Sequence, residues 1–247
     1  MGSYRYLTAL EGKIIIYKIN TEPFFIHGNS ANWQKNTKFF PNMDGVLKMK
    51  IQIVLFDGLG ELVSFAPFEV LKRAIEEGAP FTVDLISSEP KLEITTSFGV
   101  RLKLNDFLRM DNRPDLLIVP GGGWNHKSEH GARKQAKLGT LTKLISEMHN
   151  EGTIVAGVCT GGMLLAASGI LNGRKATMHD LAQNELIEYG AELLSYRVVD
   201  QGDIITARGV TSGIDLGLWI TERFASAKIA AAVENRMEYE RRGVVWS

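Results

Sequence analysis

The sequence predicts one doubly wound α/β domain, a mainly parallel sheet with helices on both faces, preceded by an N-terminal extension. Three observations predict it. Nearly continuous apolar runs at 51–56, 115–119 and 153–158 suit strands buried on both faces, where a one-sided strand would alternate. Stretches of helical apolar spacing lie between such runs, and strands alternating with helices imply a parallel sheet. Two of the runs lead into glycines, at 121–123 and 161–162, and an open α/β sheet binds its ligands at such strand ends.

Taken in order, the strand 51–56 stops at Asp57-Gly58. Phe65, Phe68, Val70, Leu71 and Ile75 then recur at helical spacing up to Gly78, and a second strand fits 81–86. Residues 91–104 read as short strands or a hairpin turning near Ser97-Phe98-Gly99. The strand 115–120 is broken by the glycines at 121–123. Residues 131–150 read as one amphipathic stretch, with Leu138, Leu141, Leu144, Ile145 and Met148 on its apolar face and an end at Glu151-Gly152. The strand 153–158 and a helix at 161–168 follow. Residues 197–200 and 203–207 form a hairpin about Gln201-Gly202, and 211–242 are largely helical, in one or two pieces. Ile214, Leu218, Ile220 and Phe224 make the buried face of that late helix, and 234–242 a solvated, ion-paired end. Nothing between 49 and 247 repeats or reads as a linker, so these residues count as a single domain.

Residues 1–48 differ. They hold six basic and three acidic residues, a balance of +3, which leaves 22 basic and 25 acidic residues, −3, for 49–247. A strand-like run at 13–19 precedes a polar stretch with Asn29, Asn32, Asn36 and Asn42, and no signal-peptide pattern is present. This segment reads as a poorly ordered extension, an upstream translation product, or a small added hairpin, with Met49 as a start of the folded unit.

The whole chain of 247 residues balances 28 Lys and Arg against 28 Asp and Glu, which argues against a nucleic-acid footprint or a polybasic membrane surface. No stretch approaches the roughly 20 apolar residues of a membrane span. A single cysteine, Cys159, excludes an intrachain disulfide and a thiolate metal cluster. His126 and His130 are spaced as an i,i+4 pair but lack acidic or Cys companions, so no metal is expected, and no cofactor. The expectation is a cytoplasmic protein with a small-molecule substrate.

The chemistry centres on Gly157-Val158-Cys159-Thr160-Gly161-Gly162. Small residues around a nucleophile, between a strand and a helix, are what a nucleophile elbow needs, because the turn is tight and backbone comes close. At a helix amino end, unpaired N–H groups favour an anion, so the thiol is expected below its ordinary value of about 8.5. A lone Cys packed as a small hydrophobe is the competing reading. The run Gly121-Gly122-Gly123 reads either as a flexible turn or as one side of an oxyanion hole, with the Gly122 and Thr160 N–H groups converging on developing negative charge. His179 lies 20 positions after Cys159 (179 − 159), after 174–178, and a short strand ending there would bring an imidazole to the thiol as base or ion-pair partner. Trp124 is a pocket wall or a dimer contact, and Phe65 a core residue close enough to wall the pocket.

Val119-Pro120-Gly121-Gly122-Gly123-Trp124-Asn125, Val158-Cys159-Thr160-Gly161 and the segment 169–179 together resemble the ThiJ/PfpI family of class I glutamine-amidotransferase-like proteins. The segment 209–215 resembles the branch that includes isonitrile hydratase. The resemblance spans about Met49 to Arg242 and implies a flavodoxin-like sandwich, a homodimer, Cys159 as nucleophile, and Gly122 and Thr160 as oxyanion donors. In that branch the base is an acid four positions before a proline. Here the proline is Pro67 and the position holds Val63, with Glu61 the nearest acid. Arg208 also stands where relatives typically have Gly, and with no helix-turn-helix pattern read after Arg242, DNA binding is not expected.

The leading expectation is therefore a cysteine-dependent enzyme on a small electrophile, of the isonitrile hydratase type, with Glu61 or His179 moving the proton. A glyoxalase- or deglycase-like reaction on an α-oxoaldehyde is a second expectation. A non-enzymatic oxidation sensor at Cys159 is a third.

Overall fold

The computed structural model describes residues 4–10, 13–18, 24–26 and 48–247. The chain divides into two units, Met1–Lys48 and Met49–Ser247. In the first, β1 (Tyr4–Leu10), β2 (Lys13–Lys18) and β3 (Phe24–Ile26) form an antiparallel sheet in the order β1-β2-β3. The Asn-rich stretch of this segment lies outside the described residues.

The second unit opens on β4 (Met49–Leu55), whose last five residues are all buried. Then come α1 (Glu61–Glu76), β5 (Phe81–Ser87), and the hairpin of β6 (Glu93–Thr95) and β7 (Arg101–Lys103). Next are β8 (Leu116–Val119), α2 (Ala132–Leu138), α3 (Thr140–Asn150), β9 (Ile154–Val158) and α4 (Gly161–Ala167). The chain finishes through β10 (Lys175–Ala176), α5 (Gln183–Glu188), β11 (Glu192–Leu193), β12 (Val198–Asp200), β13 (Ile204–Ala207), α6 (Ser212–Phe224) and α7 (Ala227–Met237).

The main sheet runs β12-β13-β9-β8-β4-β5, parallel throughout except for β12 against β13. Ile51, Ile53, Leu116, Leu117, Ile118 and Val155 are fully buried in it, which is why these runs carry no polar alternation. One helical layer groups α1, α6 and α7, and the other groups α2, α3, α4 and α5. This is the doubly wound, flavodoxin-like architecture expected from the sequence. The chain passes from β4 outward to β5 and then returns to β8 on the other side of β4. That reversal places a crevice between the carboxyl ends of β4 and β8.

Some expectations change. The stretch 131–150 is two helices, because Gly139 takes φ +78 and ends the first one there. The phase of the apolar face is reset at that point, so Leu138 is 59% exposed, not buried. The late helical stretch breaks at Ala225 and ends at Met237, leaving 238–247 outside any helix. The strand leading to His179 is only β10, two residues long, paired in parallel with β11. Neither β11 nor α5 was foreseen. Near the C-terminus, the Asp215 carboxylate, 6% exposed, accepts from Arg197 Nε at 2.9 Å and from the Tyr239 hydroxyl at 3.0 Å, joining α6 to the segments around it.

Candidate active site

β9 delivers the chain to Cys159, which takes φ +56, while α4 starts two residues later. A left-handed conformation in a residue with a side chain costs on the order of 1–2 kcal/mol and is worth explaining. The Cys159 N–H donates to Ala207 O at 2.9 Å, so neighbouring β13 fixes the bend. A Cβ on Gly161 would lie 2.0 Å from Val119 O, so only glycine allows β8 to pass so close to the first turn of α4. The small residues read from the sequence are therefore a steric requirement of this elbow.

The loop after β8 completes the bend. A Cβ on Gly121 would lie 2.5 Å from Thr160 Oγ1, and Gly122 takes φ +129. Gly60 N–H donates to Gly121 O at 2.9 Å, which binds the loop after β4 to the same place. The expected oxyanion donors Gly122 and Thr160 are brought together. However, the Gly122 N–H already donates to Thr160 Oγ1 at 3.0 Å, so a bound anion would have to displace that hydroxyl.

The expectation of a lowered thiol is corrected. Cys159 is 6% exposed, and burial pushes its thiol up to about 11, while hydrogen bonds from the Thr160 N–H and hydroxyl pull the other way without prevailing. α4 is only seven residues long, and desolvation outweighs what its amino end offers. Burial thus works against the thiolate in the resting protein.

Val63 is on α1, 2% exposed, and brings hydrocarbon where the resemblance led one to look for an acid. Glu61, in the first turn of α1, serves a different structure. Its carboxylate accepts from the Thr96 hydroxyl, from Ser97 Oγ at 3.1 Å and from Phe98 N–H at 2.8 Å, which docks the β6–β7 hairpin. Burial raises its carboxyl, but those hydrogen bonds outweigh burial and hold it below the ordinary range. It is thus a weak base, and none of its hydrogen bonds reaches Cys159. His179 is also not hydrogen-bonded to the sulfur. Its Nδ1 lies 3.4 Å from Asn125 Nδ2 and accepts from Leu181 N–H at 3.2 Å.

Trp124 is 3% exposed. The Arg133 guanidinium stands 4.4 Å from its ring centroid, donates to its carbonyl at 3.0 Å and pairs with Glu185 at 2.8 Å. Phe65 is half-buried on α1. Arg208 pairs with Asp180 at 2.7 Å, beside His179.

A cleft of about 730 Å³ opens at the same end of the sheet. It is lined by Asp57, Lys91, Thr95, Phe98, His126 and His130 among others, and Gly123 joins it to the glycine loop. His126 and His130 thus line this cleft without forming a metal site. Among the described residues no three His, Cys, Asp or Glu side chains gather as metal ligands, and no helix is long and apolar enough to cross a membrane. Sequence reasoning assigned no role to Asn125, Thr96, Phe98, Arg133 or Glu185. Asn125 could have been singled out from its place in the glycine motif; the others carry no local signal.

Comparison with known proteins follows from this geometry. The DJ-1/PfpI family model matches residues 49–223. An isonitrile hydratase of Pseudomonas putida is 27% identical over 78% of this chain and 79% of its own length. A deglycase of Thermococcus kodakarensis is 30% identical over 70% of this chain and 96% of its own. Among solved structures, Drosophila melanogaster DJ-1beta matches with a TM-score of 0.68 at 19% identity, covering 79% of this chain and all of that one.

Proposed function

The chain belongs to the DJ-1/PfpI family, and from that premise we propose that it is a cysteine-dependent enzyme that hydrates a small isonitrile to an N-substituted formamide. The observation that carries this is Cys159 at φ +56, on the turn from β9 to α4 beside the Gly122–Thr160 contact. Strain held at an elbow is an outlier that calls for a functional cause.

The raised Cys159 thiol suits a reaction that consumes both the sulfur and its proton. An isonitrile carbon carries a lone pair and is also open to attack, so it can take both halves of S–H. In the first step the S–C bond forms and the thiol proton passes to the same carbon, giving a thioimidate. Water then adds to that carbon while its proton goes to nitrogen. The C–S bond breaks as the new oxygen's proton returns to sulfur, releasing the formamide and restoring the thiol. The net change is substrate plus water, and no external base is needed for the first step. The N–H groups of Gly122 and Thr160 steady the oxygen that water brings.

An α-oxoaldehyde would add the same thiol, but converting the hemithioacetal to a hydroxy acid requires removal of a C–H proton. Val63 offers none of that basicity and Glu61 is occupied by the hairpin. An oxidation sensor calls for a sulfur that peroxide reaches readily, and at 6% exposure Cys159 offers little access. The same reading includes a reducing cytoplasm, where a lone thiol stays reduced, and a homodimeric assembly. The test is incubation with cyclohexyl isocyanide and chromatography of the products. Formamide from the wild type and none from Cys159→Ala supports the assignment, and no Cys159-dependent formamide overturns it.

A further inference from the structure

The contacts of the His179 imidazole favour one tautomer. Its Nδ1 receives the backbone N–H of Leu181 at 3.2 Å, and a backbone amide can only donate. Nδ1 therefore carries a lone pair, and the ring proton of the neutral imidazole is on Nε2. The side chain of Asn125 agrees. Its Nδ2 lies 3.4 Å from the same nitrogen, as a shared, longer contact consistent with the acceptor role that the Leu181 amide sets. His179 is also the N-cap of a short turn of helix, Asp180–Ala182, which is what brings the Leu181 amide to the ring. Nε2 has no hydrogen-bond partner among the described residues.

The neighbours of His179 tie it to two segments near Cys159, the loop after β8 and the first turn of α4. Asn125 follows the triglycine by two residues. Met178, next to His179, packs on the first turn of α4, where a Cβ added to Gly162 would be 3.2 Å from its side chain. We propose that His179 serves the reaction as a hydrogen-bond donor through Nε2–H, and not as its base. The inference rests on the isonitrile reading for the identity of the acceptor, which is the substrate nitrogen. That nitrogen gains electron density as water adds to the thioimidate carbon. The Nε2–H is shared with it and not transferred, and the proton that nitrogen acquires comes from the water.

The roles of donor and base respond oppositely to one substitution. Asn125→Asp places a carboxylate beside Nδ1, which draws the ring proton to Nδ1 and leaves Nε2 as an acceptor. If His179 is a donor, Asn125→Asp slows turnover of cyclohexyl isocyanide as His179→Ala does, by about 10²–10³, the cost of removing one well-placed donor. His179→Gln, which keeps an N–H near Nε2, recovers to within about tenfold of wild type. Faster turnover in Asn125→Asp, or His179→Gln as slow as His179→Ala, overturns the proposal. Nitrogen NMR of the full chain labelled at histidine reads the tautomer without substrate, with His179→Gln identifying the signal among the five histidines. A proton on Nε2 is expected, and a proton on Nδ1 overturns the proposal whatever the turnover. A wild type without isonitrile turnover removes the reaction proposed above and leaves the tautomer to be decided by NMR alone.

Discussion

The amide of Gly122 donates to the hydroxyl of Thr160 over 3.0 Å, tying the loop after β8 to the residue that follows Cys159. A single side-chain hydroxyl thus bridges the two parts of the site. In Thr160→Val that acceptor is gone while the shape is kept, so the Gly122 amide loses its partner. We expect a loss of about 1–2 kcal/mol in urea unfolding. Thr160→Ser keeps the hydroxyl and should stay close to wild type.

The neutral thiol sets a pH signature. With Cys159 pushed up to about 11, the fraction present as thiolate grows tenfold per pH unit across the neutral and mildly alkaline range. Iodoacetamide alkylation should rise in the same way from pH 7 to about pH 10, without the plateau that an ordinary thiol reaches above about 8.5. The sign for stability follows. The folded value lies above the unfolded one, so the stabilisation is complete below about 8.5 and is lost as the pH rises through the folded value. Cys159→Ala should lack that alkaline loss in urea titrations.

Glu61 acts on the hairpin and not on the chemistry. Glu61→Gln should keep turnover within about threefold, where loss of a true general base costs about 10²–10⁴. Its carboxyl is held below the ordinary range in the fold. The stability it contributes is therefore full above about pH 4.3 and fades as the pH falls through the folded value. Urea midpoints measured from pH 6 down to pH 3 should fall more steeply in wild type than in Glu61→Gln.

The Arg197–Asp215 pair is a separate test of the packing. Arg197→Met leaves the Asp215 carboxylate, 6% exposed, with the Tyr239 hydroxyl but no cation. Stranding a buried charge costs about 3–5 kcal/mol, which urea unfolding should show directly.

Much of the fold was legible because its requirements are local. The runs 51–55 and 116–119 are apolar without alternation because β4 and β8 are covered on both sides, and the glycine at 161 records the approach of Val119 O to 2.0 Å of a would-be Cβ. What was not legible depends on residues far apart in the chain. Glu61 looked available as an acid until the fold set Thr96, Ser97 and Phe98, 35–37 positions later, around its carboxylate. His179 looked like a base until Asn125, 54 positions earlier, and the Leu181 amide occupied Nδ1. The thiol was misjudged for a related reason. A strand–Cys–helix pattern declares the bend, but the desolvation that sets the pKa comes from everything packed above it.

The central claim is that the neutral Cys159 thiol adds across an isonitrile carbon. Intact-mass and peptide mass spectrometry of the protein quenched during turnover of cyclohexyl isocyanide tests it most directly. The expected result is an adduct on the Cys159 peptide that weighs one whole substrate molecule, with nothing lost, and that disappears as substrate is exhausted. An unmodified Cys159 throughout turnover, or formamide formed equally well by Cys159→Ala, would contradict it.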